Sequence, residues 1–198
     1  MKKIGLVGLI EAALMAAFAV ILDLLPSINL SPSISISVSM VPIFLLAFRH
    51  GVKASIVSGF VWGLLQIALG DAWIAHPVQM IMEYFLAFAF IGFAGVFFRV
   101  IQGSLRNNQK TKALLWSVVA VFVGSLARYF WHFIAGFIFF AEYAPKGMDP
   151  VLFSFLANGA TMLGTTVLCS VVLVLLISTA PRLIQRRDSS NDQINKAS

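Results

Sequence analysis

"MIMEYFLAFAF", residues 80–90, decides the fold. Every residue but one is apolar or aromatic, and no turn-forming residue interrupts the run. Such a stretch belongs in lipid. The exception is Glu83, and a carboxylate at the centre of a spanning helix costs roughly 2.5–3.5 kcal/mol on insertion scales. Ionisable residues at that depth face the interior of a bundle and pair with something, so Glu83 marks a functional position.

The rest of the chain has the same character. Of 198 residues, 60% are hydrophobic and 11% are charged. A soluble domain carries about 25% charged residues. Six apolar segments read as spans, at 4–25, 38–50, 52–70, 77–102, 112–140 and 152–181. A spanning helix needs about 20 residues, so the second is short. The intervening stretches at 26–37, 71–76, 103–111 and 141–151 are rich in Pro, Ser, Gly, Asn and Asp, which favour turns. The expected fold is an all-α membrane protein, a bundle of six transmembrane helices. Residues 1–181 form the membrane domain, and 182–198 form a polar, disordered cytoplasmic tail.

Basic residues set the sidedness, because cytoplasmic loops are enriched in Lys and Arg. Lys2, Lys3, Arg49, Lys53, Arg99, Arg106, Lys110, Lys112, Arg182, Arg186, Arg187 and Lys196 fall on one side. Lys146 falls on the other, and Arg128 lies within a span. Both termini are therefore expected in the cytoplasm. The net charge of +6 is a topology signal and calls for no nucleic acid. Glu11, inside the first apolar run, argues against a cleaved signal peptide. The lone cysteine, Cys169, excludes an intrachain disulfide.

The unusual residues share one depth. Counting 1.5 Å per residue from the outer ends of their spans puts Glu83, His132, Asn158 and Trp62 roughly 9–12 Å below the outer surface. Each has a plain explanation alone. Glu83 could pair with Arg128 of the next helix. His132 could be a satisfied interior histidine, Trp62 packing, and Asn158 a bond between helices. Their common level favours an outward-facing pocket. Tyr84, Phe130, Trp131, Phe133, Phe139 and Phe140 crowd the same layer. A carboxylate within aromatic walls suits a flat, cationic or amidine-bearing small molecule, because aromatic faces attract cations.

Other chemistries find little support. His50, His76 and His132 lie at different levels, and no metal or cofactor motif is present. Ser125 and His132 share a helix face about 10 Å apart, too far for a nucleophile and its base. No G-x-x-x-x-G-K-[ST] motif is present, so energy for uphill transport must come from an ion gradient or another protein. Gly5, Gly8, Ala12, Ala16 and Ala19 form a small-residue stripe on the first helix. It serves either close packing within the bundle or docking of a partner membrane protein.

Four stretches carry a family resemblance: "GVKASIVSGFVWGLLQIALG", "QMIMEYFLAFAFIGFAG", "ARYFWHFIAGFIFFAEYAPKGM" and "FSFLANG". The chain resembles, over about residues 5–180, the thiamine-specific substrate-binding (S) subunits (ThiT, or YuaJ) of energy-coupling factor transporters. The resemblance implies a non-enzymatic subunit that captures thiamine at the outer face with high affinity. It implies delivery of the vitamin inward with the transmembrane coupling protein EcfT and two cytoplasmic ATPases. It assigns Glu83 to the aminopyrimidine, and Tyr84, Trp62, His132 and Asn158 to other pocket positions. Phe140 stands where the family has a tryptophan, and Phe153 where it has a tyrosine. Ala12 and Ala16 match the A-x-x-x-A pattern that contacts the coupling protein. "SISIS", residues 33–37, replaces a Trp and a Glu of the first outer loop. The surrounding "SINLSPSISIS" corresponds to a lid. Rival readings are a binding subunit for another flat vitamin or precursor such as hydroxymethylpyrimidine, a stand-alone proton-coupled carrier using Glu83 and His132, and an intramembrane hydrolase.

Overall fold

The computed structural model describes residues 4–185. Six helices follow in order: α1 (Leu6–Asp23), α2 (Val41–His50), α3 (Val52–Ala68), α4 (Pro77–Arg106), α5 (Lys110–Phe139) and α6 (Pro150–Thr179). α1, α4, α5 and α6 are long and apolar enough to cross a membrane. α2 is not. Its ten residues rise only about 15 Å, half the hydrocarbon thickness. The second expected span is instead a buried half-helix. Pro42, Ile43, Phe44, Leu46, Ala47 and Phe48 are all enclosed by the other helices. Gly51, at φ +79°, then makes the turn into α3, a conformation open to glycine and strained for other residues.

The departure from an all-α fold is a hairpin. β1 (Ile28–Ser31) pairs antiparallel with β2 (Ile34–Ile36), with a register shift between Asn29 and Ser31. It lies within the serine-rich segment read as a lid. Its base is anchored. Asp23, ending α1, accepts from Ser39 Oγ at 2.6 Å and from Gln66 Nε2 of α3. Ile36 rests against Gly164 of α6.

α4 is irregular. Residues Ile81–Ala87 form a π-helical segment and Ile91–Phe97 a 3₁₀ segment. Glycines bring α3 and α4 together. A side chain at Gly59 or Gly63 of α3 would collide with the backbone carbonyls of Phe88 and Tyr84. One at Gly92 or Gly95 of α4 would collide with the backbone at Ile56 or Val52. Small residues at such spacing permit close helix approach within lipid. α4 therefore sits hard against α3 at the turns that carry Glu83 and Tyr84.

At the basic end, Glu11 joins Arg49 (3.1 Å) and His50 (2.7 Å). The carbonyl of Leu183 accepts from Arg49 at 3.4 Å, and that of Ile184 accepts from Gln102 at 2.6 Å. The beginning of the expected tail thus folds onto the bundle, and Ile184 is fully buried. Residues 186–198, which carry the rest of the tail, lie outside the described residues. The start of α1, the α2–α3 turn and the C-terminal turn meet at this end, as the basic-residue count requires of one membrane face.

Candidate functional site

At the opposite end a cavity of about 510 Å³ opens between α4, α5, α6 and the outer segments. Pockets for small molecules typically measure about 300–1,000 Å³. Glu83, His132, Phe140, Phe153 and Asn158 line it, together with Trp73, Tyr143, Ser154, Ala157, Pro32 and Ser33. Each wall has a local cause. The π-helical turn of α4 carries Glu83, and such segments concentrate at functional sites. Asp149 caps α6, its carboxylate accepting from the N–H groups of Val151 and Leu152, and so sets the start of the helix that brings Phe153 and Asn158.

The polar groups form one chain. Arg128 Nε donates to His132 Nε2 at 3.3 Å, and His132 Nδ1 lies 3.1 Å from Glu83 Oε1. A guanidinium can only donate, so Nε2 accepts, and Nδ1 carries the proton that goes to Glu83. Gln79 Nε2 donates to the other carboxylate oxygen of Glu83. Arg128 does not touch Glu83 directly. Its guanidinium lies 4.3 Å from the ring centre of Phe88 and 4.9 Å from that of Trp62. Asn158 donates through Nδ2 to the carbonyl and hydroxyl of Ser154, at 3.1 and 3.2 Å.

Two expected pocket residues stand elsewhere. Trp62 is fully buried behind the cavity, edge-on to Phe88 at 4.5 Å. Tyr84 stacks on Phe88, and its hydroxyl accepts from the N–H of Trp73 at 2.8 Å, so it braces the outer loop instead of lining the cavity. The depth count places Trp62 at the right level but cannot tell which way its ring points. Trp73 and Tyr143 are missing from the sequence reading because loop residues have no depth to count, and Ser154, in the first turns of α6, because a lone serine in an apolar helix carries no signal of its own. An exposed tryptophan between two spans was the available signal. Rings of Trp73, Phe140 and Tyr143 lie 5.7–6.1 Å apart and make an aromatic mouth.

The small-residue stripe of α1 faces inward. Ala12, Ala16 and Ala19 are buried against the bundle, and Ser58 of α3 donates to the Ala12 carbonyl at 2.7 Å. Ala12 and Ala16 as a docking face is therefore corrected: no partner can reach them on this helix as it packs. The serine–histidine pair is not formed either. Ser125 is buried, and His132 is engaged by Arg128 and Glu83. A second hollow, about 560 Å³, lies between α5 and α6. Its rim of Leu126, Phe130, Phe155 and Leu163 is half-exposed and apolar, as a lipid-facing groove is, and it holds no charged group.

The model of the thiamine transporter protein family matches residues 9–185. The chain belongs to that family. It is 44% identical to the thiamine transporter ThiT of Bacillus subtilis (strain 168), over 91% of this chain and 95% of the relative. Against ThiT of Lacticaseibacillus paracasei the identity is 36%, over 94% of each chain. The solved structure of ThiT from Listeria monocytogenes superposes with a TM-score of 0.88 at 40% identity, covering 91% of this chain and 98% of that one. The family and these relatives are named as transporters, and the chain shares their multi-pass membrane architecture.

Proposed function

We propose that the chain is the thiamine-binding subunit of an energy-coupling factor importer, with the outer cavity as its binding site. The observation that carries this reading is the Glu83 carboxylate, oriented by His132 and Gln79 on the wall of an aromatic-mouthed cavity. Each carboxylate oxygen keeps a lone pair beyond those bonds. An aminopyrimidine offers an exocyclic amine and a ring nitrogen side by side. Two parallel bonds with the carboxyl follow, with one proton shared between ring nitrogen and carboxyl. The positive thiazolium then lies toward Trp73, Phe140 and Tyr143, whose faces attract cations. Those rings supply the aromatic surface that "SISIS" lacks. The hairpin, whose tip at Pro32 and Ser33 lines the cavity, is its lid.

The absent P-loop leaves the energy for uphill transport to an ion gradient or to another protein, and the present reading takes it from a partner, the EcfT coupling protein with two ATPases. Its docking surface on α1 is the outward face. Ala13 and Ala17 repeat the A-x-x-x-A spacing one residue on from the buried pair, and both are exposed.

Titration of the purified protein in detergent with thiamine tests the site. Glu83→Gln is expected to weaken binding at least tenfold, about 1.4 kcal/mol. An unchanged dissociation constant overturns the site. Competition by hydroxymethylpyrimidine as strong as by thiamine reassigns the ligand. The Glu83–His132 contact also suits a proton relay, so uptake into vesicles lacking any ATPase partner would instead support a stand-alone carrier.

A further inference from the structure

The outer loop at residues 71–76 runs into α4 through the His76 cap, and a buried amide one turn on ties its middle back to the helix. Gln79 is fully buried, although the loop beside it is largely exposed. Its Nε2 donates to the Trp73 carbonyl at 3.0 Å and to Glu83, while its Oε1 accepts from the Ala75 N–H at 3.1 Å. The Tyr84 hydroxyl adds the bond from the Trp73 N–H. Trp73 has no comparable packing of its own. The residue is 62% exposed, and its indole meets Phe140 and Tyr143 edge-on at the mouth. One amide therefore holds both the carboxylate on the cavity wall and the backbone that aims the ring at its entrance.

We propose that Gln79 is a positioning residue for ligand capture: it fixes the separation and mutual orientation of the Glu83 carboxylate and the Trp73 indole, so that one ligand engages both. The proposal rests on the reading that ligand binds Glu83. Its physical basis is the scarcity of alternatives for the groups Gln79 joins. An apolar side chain at 79 leaves the Trp73 carbonyl and the Ala75 N–H without their partner, and the loop must turn to water to satisfy them. The carboxylate meanwhile keeps His132 on one oxygen but loses the bond to the other, and with it the second of the two contacts that set its plane.

The test is a double-mutant cycle on the full chain in detergent, with thiamine as the probe. Gln79→Leu and Trp73→Ala are each expected to weaken binding tenfold or more. The double variant is expected to be within about threefold of the weaker single, because the second change removes a contact already misplaced. Hydrogen exchange at the 73 and 75 amides is expected to quicken in Gln79→Leu while the amides of α5 and α6 keep their protection. Gln79→Met, of similar length, serves as a second variant should the leucine protein not fold. Losses that multiply, or an unchanged dissociation constant in a folded variant, overturn the proposal. If Glu83→Gln and Trp73→Ala both leave binding intact, the fault lies with the cavity reading itself.

Discussion

The carbonyl oxygen of Tyr84 occupies the space where a side chain on Gly63 would begin. One turn earlier on α3, Gly59 stands in the same relation to the carbonyl of Phe88. This G-x-x-x-G pair admits the backbone of α4 at the π-helical segment that carries Glu83. The site's geometry is therefore set from behind, by the absence of two methyl groups.

Gly63→Ala is expected to push α4 outward and destabilise the protein by about 1–3 kcal/mol, the usual range for overpacking. Thiamine binding should weaken as Glu83 moves with its helix. Gly159→Ala is the control, since a methyl group there meets nothing within 4 Å. Thermal unfolding in detergent, with and without ligand, measures both. Equal melting temperatures for the Gly63 variant and the wild type would show that the helices separate without cost.

Arg128 fixes which nitrogen of His132 holds the proton. In ¹⁵N-histidine spectra the protein is expected to show His132 protonated at Nδ1 and bare at Nε2. Arg128→Leu removes the donor to Nε2 and vacates the space over Phe88 and Trp62. Binding is expected to fall about threefold to thirtyfold, because a charged hydrogen bond contributes about 1.5–3 kcal/mol and part of that loss reaches the ligand only through His132. A wild-type spectrum with the proton on Nε2 would contradict the assigned direction of the chain.

Trp73 is the tryptophan that lines the cavity; Trp62, Trp116 and Trp131 do not. Ligand-induced quenching of intrinsic fluorescence should therefore come from Trp73. Trp73→Phe is expected to abolish most of the quenching while retaining a ring at the mouth, with binding weakened less than by Trp73→Ala. Calorimetric titration supplies the affinity when the optical signal is gone. Quenching that persists in Trp73→Phe would move the ligand toward Trp62 and the deeper layer.

Much of this was legible in the residues. Spans four to six, the polar layer of Glu83, His132 and Asn158, and the one-sided distribution of Arg and Lys follow from counting along helices. What counting could not supply was rotation and backbone irregularity. The depth rule puts Trp62 level with Glu83, yet its ring packs into Phe88 because α3 turns that face inward. Tyr84 follows Glu83 directly in sequence but points to the Trp73 N–H. Ser-rich residues 27–37 carry no obvious strand signal, although Ile28, Ile34 and Ile36 give the short hairpin its apolar teeth. Gln79 carries no signal in the sequence beyond that of a polar residue near a helix start.

The register of α1 decides where a partner can dock. Ala12 and Ala16 face α2 and α3, whereas Ala13 and Ala17 lie on the exposed face with Leu6 (74%), Ile10 (52%), Leu14 (53%) and Ile21 (55%). A tryptophan at 13 or 17 adds bulk to a surface that lipid covers in the isolated subunit, so folding and thiamine affinity should stay within about twofold of wild type. With the proposed coupling protein docked on this face, the same bulk would hold two helices apart where small residues let them touch. Uptake by cells carrying the complete transporter is expected to collapse in Ala13→Trp and Ala17→Trp. Ala12→Trp and Ala16→Trp are expected to fail earlier, with little folded protein in the membrane, because each places an indole inside a filled core. The two pairs are one residue apart, so the contrast reads helix rotation directly. Normal uptake in Ala13→Trp and Ala17→Trp, with intact protein levels, would place the coupling surface on another helix.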